Sequence, residues 1–361
     1  MSEERKAINP FADLPHPAFD SINGAAHSLV YDVLLLTEVE QRLIVEAWDG
    51  DAIMSDDALA ALEELVVAVH NGEAHGDDVG CIALMKVLLR DKIIRWIRTR
   101  RPDLLATVNL RCDVGEGLCD HHGARADREH GVAAITRVFQ LLLNTLGDRY
   151  PRLVWERLAV VCDQIAAADC GLIDFSVTPW VNVAGSANRA KPGYGCGGYG
   201  HDTSEDALFD RMVTRMTEYF EDVFQSAVGA HNALEAANAD IEAAGQDCVV
   251  VFSSDARLAP CKEMLHTMKH PAWYYVSPES PLDWRVLCCA DPDQPFSPKG
   301  SWHLIPEKYA GLRDGDLDKA TGFAKGTGIF VHKDRFIGGF KSMEDAVKFA
   351  RKCAEEGGWK K

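Results

Sequence analysis

The chain has 361 residues, 47% of them apolar, with 38 Lys and Arg against 55 Asp and Glu and a formal net charge of −17. This length and apolar content exclude a disordered or collagen-like chain and suffice for a sizeable core spread over two domains. The charge excludes a protein that holds nucleic acid by bulk electrostatics, because neutralising phosphates needs a positive surface. It is unevenly spread: residues 1–66 carry 14 acids and 3 bases, 67–254 carry 26 and 18, and 255–361 carry 15 and 17. Eleven cysteines without a Cys-x-x-Cys pair point to free thiols in a reducing compartment. No apolar run reaches the ~18 residues that span a bilayer, and the start Met1-Ser2-Glu3-Glu4-Arg5-Lys6 lacks an apolar signal region. The expectation is a soluble, cytoplasmic protein with no membrane partner.

In chain order, residues 1–64 form an acidic extension. It is Pro-broken at Pro10, Pro15 and Pro17, and apolar spacing predicts helices over 29–48 and 55–65. Residues 65–69 read as a strand, 79–89 as a helix, and 93–97 and 108–114 as further strands. Strand, helix, strand, short helix, strand is the βαβ arrangement of a parallel sheet, whose ligands sit beyond the carboxyl ends of its strands. Helices follow over 130–146 and 151–168, ending at Asp169-Cys170-Gly171, and then a glycine-rich loop over 186–201. A long amphipathic helix from about residue 204 presents Leu208, Met212, Met216, Tyr219 and Val223 on one side, and is read as a connector. Strand-like runs at 248–252, 272–276, 284–289 and 328–332 and a final helix, capped by Ser342 with Asp345 at its third position and Gly357 past its end, make a second α/β unit. The predicted organisation is an α/β protein: extension 1–64, metal-binding domain 65–203, connecting helix 204–245 and substrate-binding domain 246–361.

The chemistry concentrates at two strand ends. His70-Asn71-Gly72-Glu73-Ala74-His75-Gly76-Asp77-Asp78 follows the first strand. Asp113-Val114-Gly115 ends the third, just before Asp120-His121-His122. Polar residues are ordinary in surface loops, which is the bland reading. Two such clusters at successive strand ends favour a site instead. Imidazoles with carboxylates suit a borderline-hard divalent ion, and several carboxylates allow one to bridge two ions. No cysteine stands among them at zinc-finger spacing, so an open catalytic site is preferred over a structural zinc. Cys288-Cys289 reads as a strand pair with one thiol on each face, and Trp273-Tyr274-Tyr275 as core rather than a base-stacking platform.

These blocks, in this order, resemble the MYG1 family, a branch of the DHH phosphoesterase superfamily. Asp169-x-Gly171, Pro260-Cys261-Lys262-Glu263, Trp284-Arg285, Gly311-Leu312-Arg313-Asp314, Gly328-Ile329-Phe330-Val331-His332 and Phe336-Ile337-Gly338-Gly339 continue the likeness over about residues 65–355. The resemblance implies a DHH-type parallel-sheet domain, a connecting helix and a smaller α/β domain of the DHHA1 kind. It implies a Mn²⁺-dependent phosphodiesterase, with Mg²⁺ as an alternative ion. Two ions roughly 3.5 to 4 Å apart would activate water and neutralise the growing phosphoryl charge. Carried over by position, His70, His75, Asp77, Asp113, His121 and Asp169 would be metal ligands. Asp120, His121 and His122 would form the catalytic set, with Asp120 orienting the imidazoles. Arg189, Lys191, Arg285, Arg313, Gly338, Gly339 and Lys341 would meet phosphate.

The substrate implied is single-stranded RNA or DNA, or a short oligonucleotide, degraded from 3′ to 5′; a homodimer is compatible with the same reading. Two other readings compete: hydrolysis of a small phosphate compound such as a dinucleotide, cyclic dinucleotide or pyrophosphate, and a decayed metal-binding scaffold. This chain departs from the family pattern at Ala166, where an Asp is usual, at Cys170, where an Asn is usual, and at Phe340, where a His commonly follows the glycine pair.

Overall fold

The computed structural model describes residues 63–117, 119–122, 130–173, 205–289 and 303–359. Arg189, Lys191 and the predicted helix at 29–48 lie outside them, as does the helix at 55–65 except for its last residues, of which 64 and 65 are strand. The chain divides into two compact units, Met1–Ala227 and Val228–Lys361.

In the first unit, β1 (Glu64–Val69) lies between β2 (Ile93–Arg98) and β3 (Leu110–Arg111), both parallel to it. Leu65, Val67, Ala68 and Val69 are buried, the continuous apolar run expected of a strand covered on both faces. The first helix, α1 (Gly76–Leu88), buries every residue but Lys86. It packs on α3 (Ala134–Leu146) and α4 (Arg152–Asp169), while the one-turn α2 (Pro102–Leu105) connects β2 to β3. Gly80 permits this packing, since a Cβ there would lie 2.4 Å from the Ile135 Cδ1 methyl.

Three predicted boundaries shift. The first helix begins at Gly76 rather than 79, because Asp77 and Asp78 occupy its first turn, where the positive end of the helix dipole favours carboxylates. The third strand shrinks to two residues, because Asp113 turns into left-handed backbone with φ 55°. The helix expected over 130–146 starts at Ala134.

The long helix α5 (Glu205–Ala244) exists as predicted, and Leu208, Met212 and Met216 are buried on it. The buried stripe then runs through Phe220 and Phe224 rather than the predicted Tyr219 and Val223, which are half-buried. A phenyl ring buries more area than valine and, unlike tyrosine, has no hydroxyl to satisfy.

The second unit holds a five-stranded sheet in the order β4 (Val249–Val251), β5 (Tyr274–Ser280), β6 (Asp283–Cys288), β8 (Ile337–Phe340), β7 (Gly328–Val331). Only β4 and β5 are parallel. The short helices α6 (Cys261–Thr267) and α7 (Asp314–Thr321) and the final α8 (Met343–Glu356) complete it. Ser342 caps α8 as expected, its hydroxyl accepting from the Asp345 N–H at 3.1 Å. The sheet separates two cores. Tyr274, Val276, Val286, Cys288, Phe340 and Phe349 share one. Phe252, Tyr275, Cys289 and the α5 residues Ala237 and Ile241 share the other. Cys288 and Cys289 thus fall on opposite faces, and Tyr274 and Tyr275 are core. Trp273 stacks on His303 at 3.4 Å between ring centroids. Strand β8 was not expected, since two adjacent glycines weaken strand propensity; here it is central, hydrogen-bonded on both sides.

Candidate metal centre

Parallel pairing decides which side chains meet in the first unit. The carboxyl end of β1 delivers His70, and the five-residue loop to Gly76 returns His75 and the α1 carboxylates beside it. At the end of β3, Cys112 bridges Cys119, and the Asp113 N–H donates to the Cys119 carbonyl at 3.1 Å. That closure carries Asp120-His121-His122 back to Asp113. It requires Gly117, where a Cβ would stand 2.8 Å from the Arg111 carbonyl oxygen.

The result is a continuous imidazole–carboxylate cluster centred on Asp113. Its Oδ2 lies 3.3 Å from His70 Nε2, and its Oδ1 lies 3.0 Å from His121 Nδ1 and 2.9 Å from His122 Nε2. His70 Nε2 also approaches Asp78 Oδ2 at 2.8 Å and His75 Nδ1 at 3.4 Å. His121 reaches Asp169 Oδ2 at 3.3 Å and Asp77 Oδ2 at 3.6 Å. Asp77, Asp78, Asp113 and His121 are buried, whereas His75 and His122 are exposed. The cluster therefore has a closed floor and an open side.

Packing this much charge together moves its titrations. Burial pulls His70 down, but the carboxylates of Asp113 and Asp78 outweigh it and lift the imidazole to about 10. His121 is held at about 10 in the same way, burial opposing and Asp113 and Asp169 prevailing. Burial and the neighbouring carboxylates push Asp77 well up. Burial likewise raises Asp78, against the pull of His70. For Asp113, burial is outweighed by His121 and His70, which hold it below the usual carboxylate range.

The donor set fits divalent cations. Asp77 Oδ2, Asp78 Oδ1, both oxygens of Asp113 and both nitrogens of His121 are buried without a well-aligned hydrogen bond. Buried polar atoms in that state are costly unless a cation or proton completes them. Three overlapping groups could each hold an ion: His70, His75, Asp78 and Asp113; Asp113, His121 and His122; and His75, Asp77 and Asp169. All predicted metal ligands fall into this cluster, and so does His122. Asp78 joins as well; the sequence motif contains it, but spacing alone could not separate it from Asp77.

Asp120 stands apart from the donor groups. Its Oδ2 accepts from the Glu116 N–H at 2.8 Å and its Oδ1 from the His122 N–H at 2.9 Å, so it braces the loop that presents the two imidazoles. Ala166 is buried in α4 one turn before Asp169, and Cys170 caps that helix. Behind the ligands, the thiols of Cys81, Cys112 and Cys119 are fully buried and hydrogen-bonded in a row. Burial pushes Cys81 up to about 12.

In the second unit, register brings Arg285, Gly339 and Phe330 into one row across β6, β8 and β7. The guanidinium of Arg285 lies 4.9 Å from the Phe330 ring centre, and that of Arg313, which bridges Phe330, lies 5.8 Å away. Arg285 Nη2 pairs with Asp283 Oδ2 at 2.5 Å, and its buried Nη1 has no hydrogen-bond partner among the described residues. A side chain at Gly339 would strike Arg285 and Phe330 at 2.7 and 2.9 Å, so glycine keeps that surface bare. Gly338 faces the other way, toward Val331 and Ile305, and so stands outside the row. The backbone N–H of Lys341 donates to the Thr327 carbonyl at 3.0 Å. Phe340 is wholly buried, its ring 4.7 Å from that of Phe349, and offers no polar group.

The family model for MYG1 exonuclease, described as an uncharacterised protein family (UPF0160), matches residues 182–354. The MYG1 exonuclease of Homo sapiens is 24% identical over 331 residues, covering 79% of this chain and 84% of its own. A MYG1 protein of Caenorhabditis elegans is 23% identical over 81% of this chain and 96% of its own, and one of Saccharomyces cerevisiae 22% over 79% and 94%. No solved structure matches.

Proposed function

Because this chain is a relative of the MYG1 proteins along about four-fifths of its length, we propose that it is a Mn²⁺-dependent phosphodiesterase. Its substrate on this reading is single-stranded or short nucleic acid, shortened from the 3′ end. The observation that carries the proposal is the shared carboxylate of Asp113, with three imidazoles within 3.3 Å and no well-aligned hydrogen bond of its own. His70, His75, Asp78 and Asp113 would hold one cation, and Asp113, His121 and His122, with Asp77 and Asp169 alongside, a second. Such a pair supplies water activation near neutral pH and offsets charge on the phosphoryl oxygens. Asp120 fixes the loop bearing both imidazoles, and His122, exposed at the open side, would either ligate the second cation or donate to a phosphate oxygen. Arg285 and Arg313 flank an aromatic ring, a surface that suits a phosphate beside a base.

On this reading the first unit is a DHH-type metal domain within 65–203, the helix at 204–245 connects, and 246–361 binds substrate. Among the described residues no helix is long and apolar enough to cross a membrane. The ten described cysteines are free thiols, in keeping with the cytoplasm. The charge of −17 favours a second reading, hydrolysis of a small phosphate compound, since it repels a long polyanion more than a short one.

With Mn²⁺, the protein is expected to shorten a 5′-labelled single-stranded oligonucleotide stepwise from its 3′ end. Asp113→Asn and His121→Ala should abolish this. Undiminished cleavage by both variants would refute the assignment, and turnover of a dinucleotide but not of the longer strand would transfer it to the second reading.

A further inference from the structure

The register of β1 with β2 pairs Val69 with Arg98, and the Thr99 N–H donates to the Val69 carbonyl at 2.9 Å. The next residues of the two chains, Arg98 to Arg100 and His70 to Gly72, therefore run side by side. Two guanidiniums grip the loop that joins His70 to His75. Arg98 Nη2 donates to the Gly72 carbonyl at 2.5 Å, while its Nη1 pairs with Asp206 Oδ1 at 2.8 Å and its plane lies 4.8 Å from the Phe209 ring on α5. Arg100 Nη1 donates to the Asn71 carbonyl and, at 2.9 Å, to Asn71 Oδ1. The same Asn71 carbonyl lies 3.1 Å from His70 Nδ1.

We propose that Arg98 and Arg100 are positioning residues of the metal centre: Arg100 holds the Asn71 carbonyl where it fixes the His70 ring, and Arg98 anchors the next carbonyl of the same loop, that of Gly72. A carbonyl can only accept, so Nδ1 must carry the proton, which leaves Nε2 to face Asp78 and Asp113 as a ligand. Gly72, at φ 109°, lets the loop turn sharply enough to offer successive carbonyls to two different arginines. The argument rests on the metal-centre reading given above and adds to it the part of the chain that orients the first ligand.

The sign of the effect separates positioning from plain charge. Removing a cation beside a divalent ion should tighten its binding if Arg100 acts only through its charge. If Arg100 orients His70, binding should weaken despite that gain. Arg100 is exposed, so its removal is compatible with folding; Arg98 is buried, and Arg98→Lys keeps the charge while losing the forked contact. Mn²⁺ affinity is measured from the free-ion EPR signal on titrating the whole protein, with melting in chelator as the control for folding. Arg100→Ala should bind Mn²⁺ about tenfold or more weakly, with an unchanged melt. Arg98→Lys should also bind more weakly. Arg101→Ala, which loses a neighbouring charge that among the described residues pairs with Asp103, should not weaken binding. Unchanged or tighter binding by Arg100→Ala overturns the inference while leaving the metal centre standing. Failure of the unaltered protein to take up Mn²⁺ overturns both.

Discussion

A carboxylate that keeps three imidazoles within 3.3 Å cannot be replaced by its amide without consequence. Asp113→Asn would retain the shape and lose the charge that lifts His70 and His121 and that, on the proposed reading, would be shared between two ions. Most members of this cluster could be read from the sequence, because ligand types at strand ends follow a general rule of parallel sheets. What could not be read was the division of labour. Asp77 and Asp78 are adjacent, and only the helical rotation between them sends Asp78 to His70 and Asp77 to His121 and Asp169. Asp163, two turns before Asp169 on α4, makes a separate residue-level prediction. Burial raises its carboxyl to about 7, and among the described residues its Oδ2 has no hydrogen-bond partner. Below pH 4 the folded and unfolded chains both hold this proton. Between about pH 4 and 7 the unfolded chain releases it first, so stability falls as pH rises, by up to about 4 kcal/mol in all. Asp163→Asn should therefore stabilise the protein at pH 8 and flatten this slope, as measured by denaturant unfolding at several pH values.

Among the elements, the segment linking Cys112 to Asp120 and the cap of α8 test different physics. Gly117→Ala pushes a methyl against the Arg111 carbonyl, which is backbone and cannot swing aside. It should cost about 1 to 3 kcal/mol and loosen Mn²⁺ binding, because the same closure carries His121. Ser342→Ala should cost about 1 kcal/mol in thermal unfolding and leave Mn²⁺ affinity unchanged. The elements marked by an apolar run, an apolar stripe or a cap, β1, α1, α4, α5 and α8, are legible, as is the split of Cys288 and Cys289 between faces. The two-residue β3 was overestimated because the left-handed Asp113 has no sequence signature. Strand β8 was missed because its glycines are selected by neighbours: Arg285 and Phe330 occupy the space a side chain would fill. The row those residues form depends on cross-strand register, which a linear pattern does not carry.

For the whole molecule, the charge of −17 constrains how a nucleic acid can be held. A protein that grips six to ten phosphates through Lys and Arg loses about 10³- to 10⁵-fold in affinity between roughly 50 and 200 mM salt. Here the guanidinium row of the second unit and any cations taken up by the first would offer local positive charge on a chain that is acidic in sum. Affinity of the Mn²⁺-loaded Asp113-intact protein for a single-stranded oligonucleotide should accordingly vary by less than about tenfold over that range, as read by fluorescence anisotropy. A steep fall would instead reveal an extended basic track.

The three buried thiols behind the ligands bear on the direction of the centre's field. Cys81, Cys112 and Cys119 are kept in the neutral form, Cys112 and Cys81 by burial and Cys119 first by its bond to Cys112. They are wholly buried and uncharged. Were cations held in the cluster, their field would be screened least toward the buried residues and most at His75 and His122, which are exposed to water. An approaching anion would thus meet the cluster from the side that bears His75 and His122.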